Sequence, residues 1–367
     1  MSATTDQAAG TPEPAPEPQG AVRRRRAARP KAERRRLDST GLIYLVLVGV
    51  VAASAVLTGI EGRNFFSQGN VWAVLTAMSV LGLIAIGQTL VILVGSLDLS
   101  VPYVVSLAIV IAAGGMRGLD GNIPAAILNT LALCAVIGLV MGLLVSLLHV
   151  HGFIASLGIG LVVSGYLGTN YQGSHGSAAP DLRLLGRSGI AGWIPTAFII
   201  LLVCAFLVTL MLRYTRLGHH VYAIGGNREV ARMSGVRTAV PVVAAHILCS
   251  VLAGVAALLL LSRTGVGSPT IGSQGRYDLL SIAAVVLGGT LLAGGKGSVV
   301  GTIGGVAIFA VLDSVMGVMQ VNPFLKDVVR GLVIVLAVAV YARRELDRRP
   351  APFERPSALD AALLEAR

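Results

Sequence analysis

The sequence predicts an all-α fold, a polytopic transmembrane helical bundle of about ten spans. Three observations carry that expectation. Hydrophobic residues make up 54% of the chain and charged residues 13%, with a mean hydropathy of +0.79, too little polar surface for a water-soluble protein of 367 residues. The apolar residues gather into runs of roughly 17 to 25, the helix length that crosses about 30 Å of hydrocarbon. Glycine supplies 45 residues, well above the usual ~7%, and small residues let helices approach where lipid gives them no hydrophobic drive to associate.

Residues 1–40 precede the first run. Pro12, Pro14, Pro16 and Pro18 stand there among Ala, Glu and Gln, a composition too poor in apolar residues to bury a core, so the tail is expected to be disordered. It also holds nine of the 29 Lys and Arg residues, mostly in Arg23 to Arg26 and Arg34 to Arg36. Next to a span, these keep the tail in the cytoplasm and touch anionic lipid headgroups. No aromatic platform or nucleic-acid-binding motif accompanies them, so the net charge of +11 does not indicate nucleic acid. The apolar stretch that follows is longer than a signal-peptide h-region, and no A-x-A-like site ends it.

The transmembrane domain is read as 41–343, with spans at 41–60, 71–95, 101–115, 124–148, 152–170, 193–213, 240–262, 278–293, 298–319 and 325–342. The third and eighth are short and flanked by glycine, which suits a re-entrant or broken helix. Basic residues orient the bundle. The segment 214–239 carries Arg216, Arg228, Arg232 and Arg237, the turn near Lys296 and the end at Arg343 and Arg344 add more, and the opposite loops hold single arginines such as Arg63 and Arg117. Both termini are therefore expected in the cytoplasm, with 344–367 as a second tail, on a multi-pass protein of the inner membrane. Cys134, Cys204 and Cys249 lie inside apolar runs and have neither disulfide nor metal spacing. No G-x-S-x-G or H-E-x-x-H pattern presents a nucleophile or a metal, so neither catalytic nor metal-ligating residues are expected.

The longest polar segment between spans, 214–239, contains a short helix. Asn227 is a good N-cap, Glu229 suits the first turn, and Gly235 is a natural stop. Arg228 and Arg232 share a face at i and i+4, while Val230 and Met233 offer apolar contact. About two turns of helix are marginal alone in water. Such a helix docks on a partner protein or lies on the membrane surface.

With Gly225, Gly226, Asn227, Glu229, Ala231, Ser234 and Gly235 in this order, the segment resembles the cytoplasmic coupling loop of the ribose/xylose-type family of ABC importer permeases. Arg228 departs from the pattern, which often has a small residue there. Two further stretches resemble the same family: Val94 to Pro102, with Asp98 and Ser100, and the glycine-rich Leu287 to Gly305. The likeness runs from about residue 41 to about residue 343. It implies that those seven residues dock into a separate ATPase, that two permease copies form a homodimer around a central path, and that an extracytoplasmic sugar-binding protein delivers a monosaccharide. ATP and magnesium would then belong to the ATPase, with no cofactor on this chain.

The glycine-rich stretch is no phosphate loop. Counting back from Gly295 and Lys296 puts Thr290 where a Walker A needs its first glycine, and Gly297 stands where Ser or Thr must hold magnesium. Its glycines instead permit a tight turn and close helix contact through Gly301, Gly304 and Gly305. Lys296 snorkels to the headgroups. Polar residues within spans are the candidates for the translocation path: Gln88, Asp98, Ser100, Asn129, Asn170 and Asp313. Each also suits a structural role, since interhelical hydrogen bonds are common in bundles and Asp98 or Ser100 can cap the helix that Pro102 opens. His246 reads as a satisfied interior histidine. The competing expectation is a proton-coupled secondary transporter using Asp98, Asp278 and Asp313.

Overall fold

A computed structural model describes residues 39–346. Most of both expected tails lies outside the described residues, and the remainder is helical, since the first helix begins at Ser39 and the last ends at Leu346. The order is α1 (Ser39–Ile60), α2 (Gln68–Leu93), α3 (Val101–Met116), a 3-10 turn at Asp120–Asn122, α4 (Ile123–Ser146), α5 (Gly152–Asn170), α6 (Pro180–Arg187), a hairpin of β1 (Gly189–Ile190) and β2 (Ile194–Pro195), α7 (Thr196–Tyr214), α8 (Arg216–Gly226), α9 (Arg228–Met233), α10 (Ala239–Thr264), α11 (Ile271–Gln274), α12 (Tyr277–Leu287), α13 (Val299–Val318) and α14 (Pro323–Leu346). The strands pair antiparallel, Gly189 opposite Pro195.

Each of the ten expected spans overlaps a helix, but they are not equal, and the eighth, expected to reach 293, stops at Leu287. Among the described residues seven, α1, α2, α4, α5, α7, α10 and α13, are long and apolar enough to cross a membrane. The shorter apolar helices α3 and α12 have 16 and 11 residues. At ~1.5 Å per residue they reach about 24 and 17 Å, short of the ~30 Å hydrocarbon layer. These are the third and eighth candidates, and protein surrounds both: α3 packs on α10 and α4, and α12 on α13 and α2.

Burial sorts the helices into a centre and a rim. In its most apolar stretch α2 is 89% buried, and α13 and α10 are 72% and 67% buried, whereas α1 is 17% buried. The sequence reflects this: α2 is apolar all round, as a helix enclosed by others must be. The most extensive helix contact is α4 on α10. Gly138 and Gly142, four apart on one face of α4, lie against the backbone of His246, Ile247 and Val243, where an added Cβ would come within 2.5 to 2.6 Å. Small residues at that spacing bring two helices into backbone contact. The expected contacts of the glycine-rich stretch are present: Gly301 faces Gly288, Gly305 faces the Ala284 carbonyl, and Gly304 faces Ile43 of α1. Cys134 and Cys249 are buried and Cys204 is half-buried, all three as free thiols.

Candidate functional site

The 214–239 segment holds two helices, not one. Beside the one short helix expected there, residues Arg216–Gly226 form α8, whose first turn is capped by Thr215 Oγ1 accepting from Gly218 N at 3.2 Å. Asn227 then leaves helical geometry, with φ of −164°, and starts α9 by accepting from both Glu229 N and Val230 N at 3.0 Å. Gly235 ends it in the left-handed region at φ 82°, as expected. Ala231 is buried and Ser234 Oγ donates to the Val230 carbonyl at 2.9 Å.

The two arginines do not act as a pair on one face. Arg232 is engaged with Glu229 at 2.9 Å, both exposed, while Arg228 reaches the Ser146 carbonyl at the end of α4 at 3.4 Å. Val230 and Met233 remain uncovered, Met233 at 81% exposure.

Behind α9 the segment is locked to the bundle by backbone. Gly225 lies so close to the Leu93 carbonyl and the Gly295 amide that a Cβ would overlap both. The Gly295 amide donates to Leu93 O at 3.0 Å, and Gly294 and Gly295 take φ of 89° and 74°, the left-handed region open to glycine. Tyr222 Oη donates to the Gly297 carbonyl at 3.0 Å. The end of α2, the turn between α12 and α13, and the α8–α9 elbow thus meet at one point. Gly226, beside it, has open space where its side chain would be.

A second cluster sits deeper, where the chain leaves α2 and turns into α3. Asp98 is fully buried, and its Oδ1 accepts from Ser100 N at 2.9 Å and Ser100 Oγ at 2.6 Å. The Gln88 amide, oriented to satisfy both groups, donates through Nε2 to the Asp98 carbonyl and accepts through Oε1 from the Asp98 N–H, each at 3.2 Å. His246 of α10 brings Nδ1 to 3.8 Å from Asp98 Oδ2. That distance exceeds a hydrogen bond; His246 is interior, but it is not the satisfied histidine expected, since neither ring nitrogen has a hydrogen-bond partner among the described residues. Pro102 stands in the first turn of α3, while the Ser100 hydroxyl turns to Asp98 instead of capping the helix.

The six path candidates therefore divide. Gln88, Asp98 and Ser100 converge on one buried cluster. Asn129 and Asn170 are exposed on α4 and α5, apart from it, and Asn170 Nδ2 donates to Tyr166 O of its own helix at 2.9 Å. Asp313 is held by Arg330 of α14 through two bonds of 2.8 Å. Arg330 also binds Asp327, which binds Arg276 in turn, both at 3.1 Å. Reasoning from sequence missed this four-residue chain. The spacing of Asp327 and Arg330, three apart on one helix, signals that link, and Asp313 and Arg276 lie on other elements. Among the described residues no group of three His, Cys, Asp or Glu side chains is placed to hold a metal.

The profile of a transport family, described as "Branched-chain amino acid transport system / permease component", matches residues 70–338. Among curated proteins the chain is 35% identical to the ribose import permease protein of Escherichia coli K12 over 308 residues, 83% of this chain and 93% of that protein. It is 32% identical over 325 residues to the galactose/methyl galactoside import permease protein of Haemophilus influenzae, covering 83% and 94%. It is 34% identical over 296 residues to the ribose import permease protein of Bacillus subtilis 168, covering 77% and 88%. No solved structure matches it significantly.

Proposed function

The chain belongs to the branched-chain amino acid transport system / permease component family, and from that premise we propose that it is the membrane-spanning permease subunit of an ATP-binding-cassette importer for a monosaccharide. The names of its relatives support the sugar, since they import ribose and galactose or methyl galactoside. Translocation is powered by a separate ATPase that binds ATP and magnesium, and an extracytoplasmic binding protein supplies the solute. Two copies of the permease assemble around the path. Ten membrane crossings, including the short α3 and α12, put both termini and α9 in the cytoplasm.

One observation carries the mechanism: a six-residue helix stands at one end of the bundle with Val230 and Met233 uncovered. A helix of that length needs a partner to be stable, and the uncovered apolar pair suits the apolar centre of a protein interface. Gly225, Gly226, Asn227, Glu229, Ala231, Ser234 and Gly235 form the coupling element: Asn227 holds α9 in shape, Ala231 seats it, and Gly225 passes its displacement to α2 and to the turn before α13. The Gln88, Asp98 and Ser100 cluster holds the break between α2 and α3 beside the path, while Asn129 and Asn170 face the partner copy or the path.

Reconstitution decides the matter. Vesicles holding the permease, its ATPase and its binding protein should accumulate sugar with ATP, stop with vanadate and ignore a protonophore. Accumulation by the permease alone that collapses with the protonophore establishes the secondary transporter instead.

A further inference from the structure

Two fully buried side chains face each other across the break between α2 and α3 without bonding. Among the described residues Asp98 Oδ2 and both ring nitrogens of His246 have no hydrogen-bond partner, and neither residue is exposed at all. Bulk water does not reach them, so they bear the cost of bonds left unmade. Buried polar groups in that condition mark stored strain or a function.

The gap is specific. His246 Nδ1 lies 3.8 Å from Asp98 Oδ2, about 1 Å beyond a hydrogen bond. A water bonded to both atoms at about 2.8 Å would subtend only about 85° at its oxygen, so the space is too tight for a good bridge and too wide for direct contact. The two sides of the gap are also anchored differently. His246 sits where α10 is fixed to its neighbours through main chain: Gly138 of α4 lies against the His246 carbonyl, and Gly87 of α2 against the Cys249 backbone. Asp98 lies in residues 96–100, which have no regular structure and which begin beside the coupling elbow. There Gly294 stands between the two chains, so that a Cβ on it would meet Gly95 N at 2.9 Å, Gly95 Cα at 3.0 Å and Gly225 Cα at 3.1 Å. Gln88 restrains the Asp98 peptide through bonds of 3.2 Å, the long end of the usual range, which leaves it some travel. One wall of the gap therefore holds while the other yields to the elbow.

We propose that Asp98 and His246 are a latch, open in this structure, that closes into a hydrogen bond from Nδ1–H to Oδ2 when the elbow at Gly225 is displaced. Both groups are already out of water and unpaired, so closure gains a bond without a new desolvation cost. The neutral ring with its proton on Nδ1 and the imidazolium make the same bond. His246 is thus a positioning residue: it gives the break a second stable arrangement, which movement of the ATPase selects. The inference rests on the ATP-driven importer reading and adds to it an element with two states.

The test uses the complete complex of permease, ATPase and binding protein in vesicles. His246→Phe keeps a ring of similar size and cannot make the bond, and it should lower the sugar moved per ATP hydrolysed about fivefold. The melting temperature of the isolated permease should stay within about 2 °C of wild type or rise, because the bond that the variant removes is not yet made. His246→Asn, whose amide nitrogen can take the place of Nδ1, should recover about half of the ratio or more. Density maps of the nucleotide-free and vanadate-trapped complexes should bring Nδ1 and Oδ2 within about 3.2 Å in one state only. A ratio within about twofold of wild type in His246→Phe, no recovery in His246→Asn, a melting temperature lower by several degrees, or a water between the two atoms in both states overturns the latch and leaves the importer reading standing. If the wild-type complex moves no monosaccharide with ATP, the importer reading fails first and the latch falls with it.

Discussion

Gln88 grips the peptide of Asp98 with both ends of its amide, donating to the carbonyl and accepting from the N–H at 3.2 Å each. The contact satisfies two backbone groups where α2 has ended and α3 has not begun, a place where lipid and packed side chains provide no partner. Gln88→Leu keeps the volume and orphans both groups, which costs about 1–3 kcal/mol. The melting temperature of the detergent-solubilised protein should fall by several degrees, and an unchanged value would refute the bond.

Asp98→Ala should be worse than Asp98→Asn. Alanine strips the Ser100 N–H and hydroxyl of their acceptor and removes the group facing His246, while asparagine retains an acceptor oxygen at the same place. A loss of about 2–4 kcal/mol for alanine, at least half restored by asparagine, is expected from denaturant unfolding in mixed micelles. Equal losses in the two variants would show that the carboxylate's hydrogen bonds do not hold this break.

Neighbouring glycines should respond in opposite ways. A Cβ on Gly225 meets the backbone of Leu93 and Gly295, neither of which can swing aside, whereas one on Gly226 meets open space. Gly225→Ala should cut ATP-driven uptake more than tenfold and destabilise by about 1–3 kcal/mol. Gly226→Ala should remain within twofold of wild type in the same uptake assay.

Asn227→Ala removes the acceptor of two N–H groups and should weaken α9 by about 1 kcal/mol. If a partner ATPase binds α9 in the shape described, its affinity falls roughly fivefold, and Asn227→Asp recovers most of it. Met233→Glu, on an uncovered position, should leave membrane insertion and melting intact and abolish the association. Co-purification of the two chains reads both, and full binding by Met233→Glu would remove α9 from the interface.

The pairing of Asp313 with Arg330 lends itself to a thermodynamic cycle. Asp313→Asn and Arg330→Gln should each loosen α14, and the double variant should cost less than the sum by about 1 kcal/mol, the upper range for a partly exposed pair. Thermal unfolding supplies the coupling energy, and additivity would mean that the two bonds contribute nothing net.

Much of the bundle was legible because the bilayer enforces long apolar runs, and every run found in the sequence overlaps a helix. The end of α3 was legible too, since glycines mark where its run stops short, whereas the run read as 278–293 is helical only to Leu287. What escaped was α8, whose residues Arg216 to Gly226 are amphipathic, short and glycine-tipped; it is held by the Thr215 cap and by Tyr222 on Gly297, a contact across 75 positions that no local pattern announces. Asn227 was readable as a cap because the signal lies within three residues. Convergence of Gln88, Asp98 and Ser100 needed only the neighbourhood of one helix break, whereas His246 and the chain from Asp313 to Arg276 depend on how separate helices fold back on one another.

The seat of Gly225 against Leu93 and Gly295 has a mechanical meaning. Long side chains between two moving parts act as springs: they change rotamer and absorb a displacement before it travels. Here main chain bears on main chain, with no rotamers to absorb movement, so a shift of even a fraction of an ångström at the elbow has to appear at the foot of α2 and at the start of α13. Such a joint transmits without backlash, and it does so only while both surfaces are bare.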